Sequence, residues 1–177
     1  MSKNITILTG SMRPNSVGDR LLPIVRKELE ASGATVEVAD VKELNLPFVD
    51  SAITPAAESF EITHDSVQAW QKMVRRSDSL VLLVPEYNNQ PSAVQKNAID
   101  WLYADWKDKP VGVVSYGWGG GQLAAELIHK LMVKVGANPL EKTAALFFGK
   151  DITPEGDIVD EQSVRSQVAT VAQATGV

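Results

Sequence analysis

The stretch Leu80-Val81-Leu82-Leu83-Val84-Pro85-Glu86-Tyr87, followed directly by Asn88, is an apolar run that ends abruptly in a proline, an acid and an aromatic residue. An apolar run of this length, stopped by proline, indicates a strand that is buried on both faces, as the central strands of parallel sheets are. Open α/β sheets bind their ligands just beyond the carboxyl ends of such strands. The segment from Pro85 to Asn88 is therefore predicted to border a ligand site.

Short β-rich runs alternate with helical patterns along the whole chain. The strand candidates are 5–9, 35–39, 80–84, 111–115 and 143–148, and the helix candidates are 19–31, 65–76, 93–103, 122–135 and 161–174. This alternation predicts an α/β fold in which a five-stranded parallel sheet, in the order 2-1-3-4-5, carries helices on both faces. The stretch 42–63 has little periodicity, and we predict that it is a long irregular connection near the sheet edge.

Pro23 affects where the first helix is expected to begin. A helix starting at Ser16 would meet Pro23 in its interior and lose one hydrogen bond there. We therefore predict a later start, with Asp19 as the N-cap.

Composition limits both the size and the partners of the protein. With 177 residues and 44% hydrophobic content, we expect a single domain over residues 1–177. The absence of cysteine excludes disulfides, thiolate zinc sites and a cysteine nucleophile. A formal charge of −5 disfavours nucleic acid or an anionic membrane as the main partner. No apolar run approaches the roughly 20 residues that span a bilayer, and the N-terminus has no signal-peptide pattern, so we expect a cytoplasmic protein that acts on a small molecule.

The turn after the first strand, Gly10-Ser11-Met12-Arg13-Pro14-Asn15-Ser16-Val17-Gly18, is rich in hydroxyl groups and carries one guanidinium. Serine hydroxyls, a permanently charged arginine and the free N–H groups of a helix N-terminus can together hold a phosphate. We predict this role for Ser11, Arg13 and Ser16; the alternative is that the serines cap the turn while Arg13 lies in solvent. The turn matches neither a Walker loop nor the three-glycine dinucleotide fingerprint, which argues against a nucleoside triphosphate and a Rossmann-bound dinucleotide.

The turn after the fourth strand, Ser115-Tyr116-Gly117-Trp118-Gly119-Gly120-Gly121, is rich in glycine. Glycine permits backbone conformations closed to other residues and lets a flat ligand approach the main chain, although glycine-rich turns before helices are common without any ligand. The turns after the first, third and fourth strands are predicted to meet at one edge of the sheet, around the switch point between the first and third strands.

Together, these segments resemble the flavodoxin-like NAD(P)H-dependent FMN reductases, a family that includes quinone, azo-dye and chromate reductases. The resemblance covers most of the chain and is carried by Gly10-Ser11-x-Arg13-Pro14-x-x-x-Gly18, Pro85-Glu86-Tyr87-Asn88 with Pro91, Lys96-Asn97-Ala98-Ile99-Asp100-Trp101-Leu102-Tyr103, Lys109-Pro110 and Ser115-Tyr116-Gly117. It implies a flavodoxin-like three-layer sandwich, FMN as the cofactor, NADPH or NADH as the co-substrate, and a homodimer or dimer of dimers. It also implies that the FMN phosphate is bound by Ser11, Arg13 and Ser16, and that the isoalloxazine ring lies between Pro85, Glu86, Tyr87, Asn88 and Ser115, Tyr116, Gly117.

The chain departs from the family pattern at three places on these turns. Only Asn89 and Gln90 separate Asn88 from Pro91, where many relatives have three residues. Gln95 stands where relatives have leucine, and Ser16 stands where they often have a basic residue.

Flavin hydride chemistry needs neither a protein nucleophile nor a metal, so no catalytic side chain is predicted. Neither His64 nor His129 belongs to a metal-binding or Ser-His-Asp constellation in the sequence. We predict an oxidoreductase that passes hydride from NAD(P)H to FMN and then to a quinone, free flavin, azo compound or similar small acceptor. Two alternatives stay open, a flavodoxin-type electron carrier that does not oxidise nicotinamide, and a non-redox binding module on the same fold.

Overall fold

The computed structural model describes residues 2–175, and a single sheet of five parallel strands forms its centre. The strands are β1 (Asn4–Leu8), β2 (Thr35–Ala39), β3 (Ser79–Pro85), β4 (Pro110–Gly117) and β5 (Asn138–Phe147). Their order is β2-β1-β3-β4-β5, which confirms the predicted order and the flavodoxin-like fold. Met1, Gly176 and Val177, the ends of the predicted domain, lie outside the described residues.

Six helices cover the two faces of the sheet. They are α1 (Val17–Ala31), α2 (Val41–Leu44), α3 (Asp65–Arg76), α4 (Ala93–Asp100), α5 (Gln122–Lys134) and α6 (Glu161–Ala174). Helices α1 and α6 pack on one face, and the other four pack on the opposite face. The result is the three-layer arrangement expected from strand-helix alternation.

Strand β3 supplies both hydrophobic cores, because successive side chains of a strand point to opposite faces. Leu80, Leu82 and Val84 enter one core, whereas Val81 and Leu83 enter the other. Every residue of β3 is buried, which confirms the prediction made from its apolar run. Burying each of these side chains contributes roughly 1.5–3 kcal/mol to the stability of the fold. The carboxyl end of β3 is therefore fixed firmly in the sheet.

The start of α1 differs from the prediction. Ser16, not Asp19, is the N-cap: its hydroxyl accepts from the Asp19 amide at 3.2 Å, and the Asp19 carboxylate accepts from the Ser16 amide at 2.8 Å. This capping box satisfies two helix-end donors, whereas Pro23 in the interior removes one hydrogen bond. The helix therefore begins before Pro23 and continues through it.

Three other regions differ from the prediction by three or more residues. Helix α4 ends at Asp100, and a 3₁₀ turn at Ala104–Trp106 follows it. The chain leaves the helix so that the Trp101 and Trp106 rings are buried, with their indole N–H groups donating to carbonyls. Strand β5 begins at Asn138, earlier than the predicted start at 143. The prediction missed this first half because it is an exposed edge, and its polar residues hide the strand pattern. The connection predicted to be irregular contains the short helix α2, capped by the Asp40 side chain.

The sheet opens at the carboxyl ends of β1 and β3. The β1–β3 ladder ends at the pair Leu8 and Leu82. Beyond it, the Thr9 amide donates to the Ala39 carbonyl, toward β2, and the Glu86 amide donates to the Tyr116 carbonyl, toward β4. This divergence is the switch point at which open α/β sheets bind ligands.

Within residues 2–175, none of the helices is long and apolar enough to span a bilayer. The same part of the chain holds no cluster of three or more metal-ligating side chains.

Candidate functional site

A cavity of about 640 Å³ lies over the switch point, at the carboxyl edge of the sheet. Its volume is in the range of small-molecule sites. The walls are formed by Ser11, Arg13, Asn15, Ser16, Val17, Pro85, Glu86, Tyr87, Tyr116, Trp118, Phe148, Pro154 and Glu155. The turns after β1, β3 and β4 therefore contribute to one cavity, as the sequence predicted. Of the predicted site residues, Asn88, Ser115 and Gly117 do not line it.

Ser11 is held between two hydrogen-bond partners at the floor of the cavity. Its hydroxyl oxygen accepts from the Arg13 amide at 3.2 Å and lies 2.7 Å from the Tyr87 hydroxyl. When Tyr87 is the donor of that second bond, both lone pairs of the Ser11 oxygen are occupied, and Ser11 can only donate its own proton. A hydroxyl in this state is suited to bind an anion.

Arg13 is exposed beside Ser11 and lines the same cavity. The ion pairs of the described chain do not include it. Its guanidinium is therefore available for a phosphate or carboxylate, which it can bind through two parallel hydrogen bonds.

Ser16 is buried, and its hydroxyl oxygen is used by the N-cap of α1. The Asp19 carboxylate of this cap also accepts from the Lys42 ammonium at 2.6 Å. Burial raises the pKa of Asp19, but the Lys42 ammonium and the Ser16 amide lower it more, so that the net pKa lies below its usual value. Ser16 thus fixes the turn that carries Ser11 and Arg13.

Residues 87–90 form a two-residue hairpin turn. The Tyr87 and Gln90 main chains exchange two hydrogen bonds of 2.9 Å, while Asn88 and Asn89 have φ values of 51° and 65°. Two successive positive φ angles define a type I′ turn, in which asparagine is favoured. The short passage noted in the sequence is therefore a tight turn, and Asn88 lies exposed on it, outside the cavity.

Glu86 connects the turn after β3 to the start of α5. Its carboxylate accepts from the amides of Leu123 and Ala124, both at 3.1 Å. The N-cap of α5 is Gly121, which has no side chain to satisfy these amides. A carboxylate at this helix end is also favoured by the helix dipole. Glu86 therefore holds the glycine-rich turn against the cavity.

Ser115 supports the glycine-rich turn from below the cavity. Its side chain is buried and donates to the Gly120 carbonyl at 2.7 Å. Gly121 has φ +68°, and a Cβ atom there would lie 2.7 Å from the Tyr116 amide, so only glycine fits. The Gly117 carbonyl accepts from the Gly120 and Phe148 amides and is likewise occupied within the turn.

Tyr116 projects into the cavity from β4. Its hydroxyl lies against the first turn of α1, where a Cβ on Gly18 would come within 2.8 Å of it. Burial, and to a smaller extent Tyr87 and Asp19, raise the pKa of Tyr116 well above its usual value. The cavity wall at this point is a neutral phenol at physiological pH.

Trp118 and Phe148 form an aromatic pair at the mouth of the cavity. Their rings meet edge to face, with centroids 5.6 Å apart and an interplanar angle of 86°. Trp118 is nevertheless 73% exposed, which is unusual for so large an apolar side chain. Trp118 belongs to the glycine-rich turn that the sequence placed at the ligand edge, whereas Phe148 was assigned only to a strand.

Pro154 and Glu155 come from a small hairpin that sequence reasoning missed. The Gly156 amide donates to the Thr153 carbonyl, and Ile152 and Ile158 form an antiparallel bridge. The pair Pro154 and Gly156 was the available turn signal. The hairpin packs against α1, since a Cβ on Gly156 would lie 3.4 Å from the Val17 Cα. The region after β5 thereby forms part of the cavity.

The fold is flavodoxin-like, and its cavity lies at the sheet switch point with the turn that carries Ser11 and Arg13 at one end. The family model described as NADPH-dependent FMN reductase matches residues 3–150. The chain belongs to this family and is an oxidoreductase whose cofactors are FMN and NADPH or NADH.

Two relatives agree with this assignment, and a solved structure shares the fold. The chain is 30% identical over 173 residues to an NAD(P)H-dependent FMN reductase of Saccharomyces cerevisiae, covering 92% of this chain and 91% of the relative. It is 30% identical over 131 residues to an FMN-dependent NADPH-azoreductase of Staphylococcus haemolyticus, covering 73% and 67%. The solved structure of the flavoenzyme FerB, an NAD(P)H:(acceptor) oxidoreductase of Paracoccus denitrificans, superposes with a TM-score of 0.75 at 22% identity, covering 98% and 97%. This last likeness concerns the fold.

Proposed function

We propose that the cavity at the switch point binds FMN, and that the protein uses NADPH or NADH to reduce a quinone, free flavin, azo compound or similar small acceptor. The observation that carries the proposal is the position of Ser11, whose hydroxyl accepts from the Arg13 amide and, when Tyr87 is the donor of the bond that they share, has only its own proton left to donate. Its remaining proton and the Arg13 guanidinium are two donors for the FMN phosphate.

The residues present fit this cofactor. Ser11, Arg13 and Asn15 give the cavity a polar end, and Pro85, Tyr87, Tyr116, Trp118 and Phe148 supply aromatic and apolar surface for a flat ring. Cofactor sites commonly combine apolar walls with a few placed polar groups. No carboxylate pairs with Arg13 among residues 2–175, so the positive charge is free for a phosphate.

When bound, FMN supplies the redox chemistry by accepting a hydride from the reduced nicotinamide and passing the electrons to the acceptor. The task of the protein is to bind the cofactor and to orient it. Ser11, Arg13 and the turn fixed by Ser16 would hold the phosphate, and Pro85, Glu86, Tyr87 and Tyr116, which line the cavity, would border the ring. Tyr116 stays neutral and adds no charge beside the ring. No side chain is required as a nucleophile or as a metal ligand.

We also propose that the protein is a homodimer or a dimer of dimers, with no nucleic acid or membrane partner. The motivation is an apolar surface next to the phosphate turn, where Met12 and Phe48 are exposed beside a groove that Val94 and Leu46 also line. Exposed apolar patches of this kind mark interaction sites.

The experiment that tests the function is a spectrum of the purified protein with and without added FMN, followed by anaerobic addition of NADPH and then NADH. We expect bound flavin that bleaches on reduction and regains its colour when a quinone is added. With FMN retained, initial rates should follow ping-pong kinetics, because the nicotinamide leaves before the acceptor binds. Bound flavin that neither nucleotide bleaches would indicate an electron carrier, and a protein that takes up no FMN would contradict the proposal.

A further inference from the structure

Gln95 is a fully buried polar residue in the first turn of α4, packed against Gly10. Its backbone amide donates to the Ser92 hydroxyl at 3.2 Å, which makes Ser92 the N-cap and Gln95 the third helical residue. A glutamine at this position commonly returns to the N-cap amide and completes a capping box. Here its side chain turns instead toward the sheet.

The side-chain amide of Gln95 bridges two strands at the switch point. Its Nε2 atom donates to the Leu8 carbonyl of β1 and to the Leu83 carbonyl of β3, both at 3.2 Å. The ladder between these strands ends at the pair Leu8 and Leu82, and the Leu83 carbonyl lies one residue beyond it. Gln95 donates to one carbonyl at the end of this ladder and to one just past it, and so joins the strands where they diverge.

The orientation of this amide is determined by its surroundings. Rotating it by half a turn would place Oε1 against two carbonyl oxygens, which cannot donate to it. In the observed orientation Oε1 is buried without a hydrogen-bond partner within the described chain. An unpaired buried amide oxygen lowers the free energy of unfolding, so a glutamine at this position is not explained by its contribution to stability.

The two bridged carbonyls belong to the segments that carry the predicted phosphate and ring sites. Gly10, which precedes Ser11, is packed so closely that a Cβ atom would lie 2.4 Å from the Pro85 Cδ and 3.0 Å from the Gln95 Nε2. Above this layer, the bond between Ser11 and Tyr87 joins the same two turns a second time. Two connections therefore determine the separation of the phosphate turn and the ring turn: the Gln95 bridge and the bond between Ser11 and Tyr87.

We infer that Gln95 is a positioning residue that sets the distance between the phosphate turn and the ring turn, and so adapts the cavity to a ligand that must contact both. The inference rests on the proposed binding of FMN. FMN occupies both turns, whereas riboflavin, which lacks the phosphate, contacts only the ring turn. The gain in affinity that the phosphate provides thus depends on the correct separation.

The test compares the dissociation constants of FMN and riboflavin, by flavin fluorescence, for the wild type and Gln95→Met. Methionine keeps the length and volume of the side chain but removes both donors. We expect the ratio of the riboflavin constant to the FMN constant to fall by about tenfold, which corresponds to the loss of one to two hydrogen bonds in positioning the turn. Riboflavin binding itself should change by less than about threefold.

Ile99→Val is the matched control. Ile99 is equally buried and lies one helical turn further along α4, but its side chain joins no strand ends. Ile99→Val should leave the ratio of the riboflavin constant to the FMN constant unchanged, even though it lowers the free energy of unfolding by about 0.5–1.5 kcal/mol. Gln95→Leu repeats the test with a shorter apolar side chain, and circular dichroism verifies that each variant is folded.

The outcomes separate the inference from the proposed function. A wild type that prefers FMN, together with an unchanged ratio in a folded Gln95 variant, overturns the inference alone. If neither Gln95 variant folds, the residue is needed for folding itself, and the inference is also overturned. A wild type that binds neither flavin contradicts the proposed function, and the inference with it.

Discussion

At the scale of single residues, Arg13 is the charged group of the predicted phosphate site. We expect Arg13→Ala to raise the dissociation constant of FMN by about 10- to 100-fold, because hydrogen bonds to charged groups contribute about 1.5–3 kcal/mol. A flavin fluorescence titration measures the change. Arg26→Ala is the control, since Arg26 lies on α1 in an exposed ion pair with Glu30. Equal FMN affinity of wild type and Arg13→Ala would refute the phosphate assignment.

Trp118 is exposed at the mouth of the cavity and is expected to contact flat substrates rather than to stabilise the fold. We predict that Trp118→Ala raises KM for a planar quinone by about 3- to 10-fold, the equivalent of one aromatic contact, and changes stability by less than about 0.5 kcal/mol. KM for ferricyanide, which offers no ring to stack on, should not change. Leu123→Ala is the control, because it removes another exposed apolar side chain that does not line the cavity. Parallel increases in KM for both acceptors would contradict this role.

Sequence reasoning anticipated which residues line the cavity where residue type alone decided their place, and did so less well where side-chain orientation decided it. Ser11, Arg13 and Tyr87 follow from the residue types beyond two strand ends. Ser115 was assigned to the ring site, but Tyr116 points into the cavity, and alternation along a strand turns Ser115 to the opposite face. The role of Glu86 as the cap of α5 depends on a contact across 37 residues, which no local pattern contains.

At the scale of elements, the capping box of α1 stabilises the turn that carries Ser11 and Arg13. We expect Asp19→Asn to lower the free energy of unfolding at pH 7 by about 1 kcal/mol, through loss of the carboxylate in the cap and in the pair with Lys42. The figure stays small because Asp19 and Lys42 are each about a third exposed, with side-chain exposures of 36% and 28%. Urea unfolding at pH 7 measures it.

The pH dependence gives this prediction a second measurement. The pKa of Asp19 is lower in the folded protein than its usual value, so its stabilisation is complete above the unfolded pKa, near 3.8. It is lost as pH falls through the folded pKa. The difference in stability between wild type and Asp19→Asn should therefore shrink below about pH 4. Glu30→Gln, on the exposed face of the same helix, should cost less than about 0.5 kcal/mol at pH 7. A difference that is independent of pH would contradict the assigned carboxylate role.

The elements themselves were predictable to the extent that their hydrophobic pattern was complete. All five strands follow from β-rich runs separated by helical patterns, and β3 follows most clearly, because a buried parallel strand has to be apolar on both faces. The first half of β5 is an exposed edge with polar residues such as Glu141 and Lys142, so its pattern is absent. The hairpin near Gly156 escaped prediction because it is held by packing on α1, a contact between distant segments.

At the scale of the whole molecule, the surface beside the phosphate turn is the predicted dimer interface. Phe48 is 70% exposed and Met12 is 51% exposed, and Met12 directly follows Ser11. A second subunit on this surface would cover both side chains and lie next to the cavity. We predict that Phe48→Glu converts the dimer to monomers, because a charge buried in an apolar interface without a partner costs several kcal/mol.

Sedimentation velocity on wild type and Phe48→Glu, at micromolar concentration, tests this prediction. The wild type should sediment as a dimer or a dimer of dimers, and the variant as a folded monomer whose circular dichroism is unchanged, since an exposed position contributes little to the stability of the isolated chain. Val133→Glu introduces the same charge at an exposed apolar residue of α5 and should leave the dimer contact at Phe48 intact. A monomeric wild type, or a Phe48→Glu variant that associates as tightly as the wild type, would show that this surface does not join two subunits. In the first case Phe48 and Met12 would be solvent-exposed in the working enzyme, and the cavity would be formed by a single chain.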